Sequence, residues 1–119
     1  MALSIEENTG VIEQVRAAIA ASLPQGNPAI HRVARSVGVN ARTLQRRLAH
    51  HHLTYRSLVD DVRLEKACGL LEANGRILMA EVAKAVGYSD PAHFTRAFVR
   101  WTGMTPREYL RRARERTHH

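Results

Sequence analysis

The sequence is 119 residues long, 45% hydrophobic and carries a net charge of +7, with a pI near 10.7. That is enough chain for one ordinary domain or two very small subdomains sharing an element. A single cysteine, Cys68, excludes an internal disulfide framework and a multi-cysteine zinc site; with no leader-like start and no run of about 18 apolar residues, a soluble protein of the reducing cytoplasm is expected.

Nearly every segment reads at helical period, so the expected class is all-α. Val11, Ile12, Val15, Ile19 and Leu23 make an apolar stripe on a first helix that stops at Pro24-Gln25-Gly26. Asn27 before Pro28 reads as an N-cap and first-turn pair for a second helix to about Val37, with Gly38 supplying the turn. Asn40 caps a third helix through His50, whose buried side carries Leu44 and Leu48. Thr54 starts a long fourth helix to about Asn74, with Leu58, Val62, Leu70 and Leu71 inward and Gly75 at its end. The pattern from Leu78 to Trp101 puts Phe94, Ala97, Phe98 and Trp101 on its buried side, and its second half is capped either by Asp90, with Pro91 in the first turn, or by Ser89. Thr105-Pro106-Arg107-Glu108 is a capping box opening a last helix with Tyr109 and Leu110 inward. Beyond Arg114 the chain lacks an apolar anchor and is expected to fray.

Two of these stretches are copies. Val33-Ala34-Arg35-Ser36-Val37-Gly38 recurs 49 residues on as Val82-Ala83-Lys84-Ala85-Val86-Gly87, with apolar, small, basic and glycine positions in the same places. Each copy ends at glycine, then a short polar turn, then a helical pattern bearing arginine. Two helices meeting at a steep angle in this way can place the second in a DNA major groove. Of the 18 cationic residues all but Lys66 and Lys84 are arginine, the side chain suited to bidentate contacts with phosphate and guanine. They cluster from Arg32 to Arg56 and from Arg96 to Arg116, over both copies, so double-stranded DNA is the expected partner. The fourth helix, about 20 residues at about 1.5 Å each, would span about 30 Å, near the roughly 34 Å between successive major-groove entries on one face of B-DNA. A single monomeric chain would then serve two grooves. The expected plan is an N-terminal helix of the first subdomain over residues 1–24, a first helix-turn-helix over 25–53, a linker helix over 54–75, a second helix-turn-helix with the last helix over 76–112, and a flexible tail over 113–119.

The most specific stretch is Ala80-Glu81-Val82-Ala83, Val86-Gly87-Tyr88-Ser89, His93-Phe94-Thr95-Arg96-Ala97-Phe98 and Trp101-Thr102-Gly103-Met104-Thr105-Pro106-Arg107-Glu108-Tyr109. It resembles the signature of the DNA-binding domain of the AraC/XylS family of bacterial transcription regulators almost position for position. Arg42-Thr43-Leu44-Gln45-Arg46-Arg47-Leu48 and Arg63-Leu64-Glu65-Lys66-Ala67 resemble that family's first recognition helix and linker helix, and the likeness runs from about Gln25 to Arg112. The resemblance implies about seven helices, two helix-turn-helix subdomains joined by a long linker helix, and recognition helices in adjacent major grooves. It further implies activation or repression near a promoter, contact with RNA polymerase, and in most members a separate ligand-binding or dimerising domain. The first helix begins within the opening residues, leaving no room for such a domain; an excised domain is therefore favoured over a stand-alone regulator, and a longer protein would dimerise through the part not present.

Arg42, Gln45 and Arg46 fall at i, i+3 and i+4, opposite Leu44 and Leu48, and share one exposed face. Arginine can pair with guanine O6 and N7 and glutamine with adenine N6 and N7, so these three are base-contact candidates, against the plainer reading of a solvated charged face. The matching face of the second unit is Pro91, Ala92, Thr95 and Arg96; Arg96 reads a base or a phosphate, while Ala92 and Thr95 offer methyls to thymine. Backbone-contact candidates are Arg35, Asn40, Thr43, Arg47, Ser89, His93, Arg100, Thr105 and Arg107. Arg63, among acidic neighbours, reads as structural. His50-His51-His52 reads as a solvated helix end, since consecutive helical residues diverge and cannot converge on one metal ion. Cys68 reads as a small packing residue, and Phe94, Phe98 and Trp101 as core. No phosphate loop, paired catalytic carboxylates or nucleophile with a base is present, so neither an enzyme nor a cofactor is expected. The competing reading is a helical module whose basic faces bind an acidic protein such as RNA polymerase.

Overall fold

The computed structural model describes residues 5–73 and 77–117. Among these the chain forms α1 (Ile5–Ser22), α2 (Ile30–Ser36), α3 (Ala41–His50), α4 (Tyr55–Ala73), α5 (Met79–Ala85), α6 (Pro91–Thr102) and α7 (Pro106–Thr117), with one 3₁₀ turn at Leu23–Gln25 and no strand. The fold is all-α, with two helix-turn-helix units and a long linker helix, α4. The chain divides into two compact units, residues 1–62 and 63–119.

In the first unit α1 packs on α2 and α2 on α3. The core is aliphatic: Ile12, Val15 and Ile19 from α1, Leu23, Val33 and Ala34, Leu44 and Leu48 from α3, and Leu58, Val59 and Val62 from α4. Thr54 opens α4 reciprocally, its hydroxyl accepting from the Ser57 N–H at 3.0 Å while Ser57 Oγ accepts from the Thr54 N–H at 3.0 Å. Arg16 and Asp61 pair at 2.8 Å on the surface of this unit.

The second unit is built on aromatic rings. Ala67 and Leu71 of α4, Val82, Ala83 and Val86, and Phe94 and Phe98 of α6 form its core, with Tyr88, Trp101 and Tyr109 packed around it. Phe94 and Phe98 meet edge to face at 5.8 Å between centroids, and Phe98 and Tyr109 at 5.6 Å. The Thr105 hydroxyl caps α7 by accepting from the Glu108 N–H at 3.1 Å, and the Glu108 carboxylate takes Arg112 one turn on at 3.4 Å.

Three expectations differ in detail. The start of α2 is not Asn27 with Pro28: the first helical residue is Ile30 and the N-cap is Ala29, in extended conformation and without a side-chain cap. Pro28 is buried, and its carbonyl accepts from the Tyr55 hydroxyl at 2.9 Å, so a contact from α4 holds it outside the helix. At the other end, α7 runs past Arg114 to Thr117; Arg, Ala and Glu are good helix formers, and Arg114 and Arg116 in its last turn complement the helix dipole. Leu70, Trp101, Tyr109 and Leu110 are half-buried rather than fully inward, packed against the second core. Asn74 and Gly75, the expected end of the linker helix, lie outside the described residues, as do His118 and His119 of the expected tail.

Candidate nucleic-acid interface

The sequence repeat is repeated in hydrogen bonds. In the first turn the Val39 N–H reaches the Ala34 carbonyl at 3.0 Å and the Gly38 N–H reaches Arg35 at 3.1 Å. In the second the Tyr88 N–H reaches Ala83 at 2.8 Å and the Gly87 N–H reaches Lys84 at 3.1 Å. This pair of bonds closes a helix on a left-handed residue, and Gly38 and Gly87 stand there with φ of +79° and +96°. Each turn therefore delivers the chain from a short helix into a longer one by the same local geometry.

α3 is the longer helix of the first turn. Asn40 caps it, its side-chain oxygen accepting from the Thr43 N–H at 2.8 Å. Leu44 and Leu48 are buried, while Arg42, Gln45 and Arg46 are exposed. With about 100° between successive residues, these three form one face opposite the leucines, and Thr43 and Arg47 flank it half-buried. The face also takes in exposed Ala49 and His50, which the sequence reading left out. Their signal was available: Ala49 lies seven residues after Arg42, and His50 four after Arg46.

α6 is the longer helix of the second turn. Asp90 is its cap, accepting from the Ala92 N–H at 2.8 Å with Pro91 in the first turn, which decides between Asp90 and Ser89. Phe94, Ala97 and Phe98 are buried; Ala92 and Arg96 are exposed and Thr95 is half-buried. Of the backbone-contact candidates, Arg35, Asn40, Ser89, His93, Arg100, Thr105 and Arg107 are exposed. Arg63 is occupied within the second unit. Its Nε donates to the Val86 carbonyl at 3.1 Å and its guanidinium lies 5.2 Å from the centre of the Tyr88 ring, tying α4 to the turn before α6.

Cys68 and Tyr109 form a polar contact between α4 and α7. Burial pushes the Cys68 thiol up from its ordinary value, a hydrogen bond from the Tyr109 hydroxyl works in the opposite direction, and nearby Glu72 adds to the rise. The same hydrogen bond, then burial, drives the Tyr109 hydroxyl well above the usual phenol range. Among the described residues no three His, Cys, Asp or Glu side chains converge as a metal site, and no helix is long and apolar enough to cross a membrane. His52 ends α3 in the left-handed region, with φ of +58°.

A family model described as a helix-turn-helix domain matches residues 33–112, spanning both turns and both longer helices. The chain belongs to the AraC-type helix-turn-helix family. Members of that family are DNA-binding transcription regulators. The HTH-type transcriptional regulator VqsM of Pseudomonas aeruginosa is 40% identical over 88 residues, which are 74% of this chain and 27% of that protein. The ornithine utilization regulator of the same organism is 31% identical over 106 residues, 89% of this chain and 31% of that protein. The AraC-type domain thus spans about a third or less of either regulator. Among solved structures, the C-terminal domain of the response regulator AraT from Geobacillus stearothermophilus aligns with a TM-score of 0.72 at 26% identity, covering 85% of this chain and 84% of that one.

Proposed function

We propose that this chain binds one double-stranded DNA site in a sequence-dependent way, with α3 and α6 each entering a major groove, the two grooves being adjacent. The observation that carries this reading is the duplicated turn: the same hydrogen bonds and the same positive-φ glycine lead in each case to a helix whose outer face bears arginine. On α3 the base-reading residues are Arg42, Gln45 and Arg46; on α6 they are Ala92, Thr95 and Arg96. Arg35, Asn40, Thr43, Arg47, Ser89, His93, Arg100, Thr105 and Arg107 position the duplex through its phosphates. Binding takes place as a monomer, without metal or cofactor, in the bacterial cytoplasm, and its consequence is control of transcription at a promoter rather than chemistry on a substrate.

Selection of bound duplexes from a random-sequence pool tests this directly. A bipartite consensus is expected. Replacing Gln45 and Arg46 together by alanine should relax one element by about tenfold or more, and Arg96→Ala should relax only the other, since each good bidentate contact is worth about 1–3 kcal/mol of discrimination. A module that only binds acidic surfaces would return no consensus, and heparin would displace it equally from every duplex.

A further inference from the structure

Val99 is 39% exposed on α6, although a branched aliphatic side chain on an amphipathic helix normally faces the core. Its place on the helix is specific. With about 100° per residue, Val99 falls between Thr95, four residues earlier, and Ala92, seven earlier, on the side away from buried Phe94 and Phe98. Ala92, Thr95 and Val99 thus make a narrow strip of methyl groups about 10 Å long. Arg96 lines one edge of it, with Arg100 beyond, and both are exposed. Valine carries no donor, so at this position it adds nothing to phosphate binding. The occupant that fits a methyl strip edged by guanidinium groups presents methyls and anions side by side. Thymine C5-methyl groups in a major groove, bordered by phosphates, do so. An apolar protein partner fits less well. Among the described residues Leu78 is the other exposed large hydrophobic side chain, and it belongs to a different element, at the start of α5.

We propose that Val99 is a specificity-determining residue of α6, packing against the C5-methyl of a thymine in the element that Arg96 anchors. The proposal rests on entry of α6 into a major groove and adds the chemistry read there. It makes the second element thymine-containing, read by shape and methyl contact more than by hydrogen bonds.

The test uses the full chain and the duplex selected from a random pool. Each thymine of the second element is replaced in turn by deoxyuridine, which removes the methyl group and nothing else. At one position the replacement should weaken binding about three- to fivefold, the worth of about one buried methyl. Val99→Ala should lose a similar factor on the thymine duplex and become indifferent to uracil at that position, while Val99→Thr, which keeps one methyl, should fall between. An element without thymine, or undiminished thymine preference in Val99→Ala at every position, overturns the proposal. Arg96→Ala, measured alongside, separates the two levels. If it relaxes the second element while Val99→Ala changes nothing, α6 reads DNA without Val99; if neither variant nor uracil has any effect, the docking of α6 falls as well.

Discussion

Gly38 shows what a single residue contributes to a helix-turn-helix. A Cβ built on it meets no heavy atom within 4 Å, so its requirement is torsional and not steric: φ is +79°. An L-residue held there costs roughly 1–2 kcal/mol, and a β-branched one more. Gly38→Val should therefore lower the melting temperature of the first unit by several degrees, since about 1 kcal/mol shifts a small domain by about 4–8 °C. Gly38→Asn should cost less, because asparagine tolerates the left-handed region. Circular dichroism melts giving equal values for both variants and the parent chain would show that the turn does not depend on this torsion. His52 poses the converse case. The Leu53 N–H reaches Leu48 at 2.9 Å and the His52 N–H reaches Ala49 at 3.0 Å, the same closing bonds as at the two glycines, but around a histidine at φ +58°. His52→Gly should stabilise the first unit by about 0.5–1 kcal/mol, the left-handed cost it removes outweighing the added freedom of the unfolded chain. A lower melting temperature would contradict this.

Elements were legible where their signals are local. The repeated glycine gave both turns, and Asn40 gave the start of α3, because a capping side chain and a left-handed glycine act over three to six residues. The start of α2 failed for the opposite reason. Nothing near Pro28 reveals that Tyr55 will take its carbonyl from 27 residues away. The exposed faces of α3 and α6 followed from spacing, but the face of α3 was drawn one turn short, before Ala49 and His50, and that of α6 ended at Arg96, one turn before Val99. The contact of α4 with α7 was also invisible: Cys68 and Tyr109 are 41 positions apart, and only packing joins them. It carries its own pH dependence. Both groups hold their protons more tightly when folded than when unfolded. The stability they supply is fully present below about pH 8.5, the ordinary thiol value, and is lost as pH rises through the raised folded values. The second unit should accordingly melt at progressively lower temperature as pH rises above about 9, and Tyr109→Phe should flatten the part of that decline above about pH 10, where the tyrosine of the unfolded chain begins to ionise. Parallel alkaline slopes for variant and parent would exclude the Cys68–Tyr109 contact as its source.

At the scale of the whole molecule, one continuous helix supplies residues to two cores: α4 gives Leu58, Val59 and Val62 to the first and Ala67 and Leu71 to the second. Each core in turn supports one arginine-bearing helix, so on the proposed reading a single chain holds the two groove-entering helices that many helix-turn-helix proteins assemble by dimerising. Two consequences can be measured on one duplex. With about six phosphates neutralised, the logarithm of affinity should fall against the logarithm of salt concentration with a slope near about −5; a slope shallower than about −2 would mean that too few phosphates are engaged for two grooves. Inserting about five base pairs between the two elements turns the second by half a helical repeat, to the opposite face of the duplex. If one chain reads both elements, that insertion should cost at least about tenfold in affinity and shrink the footprint to one element, whereas an insertion of about ten base pairs should restore the facing but not the distance. Unchanged affinity and footprint after the half-turn insertion, or two chains bound on one minimal site, would show that each recognition helix acts alone and that the repeat within this chain does not serve a single bipartite operator.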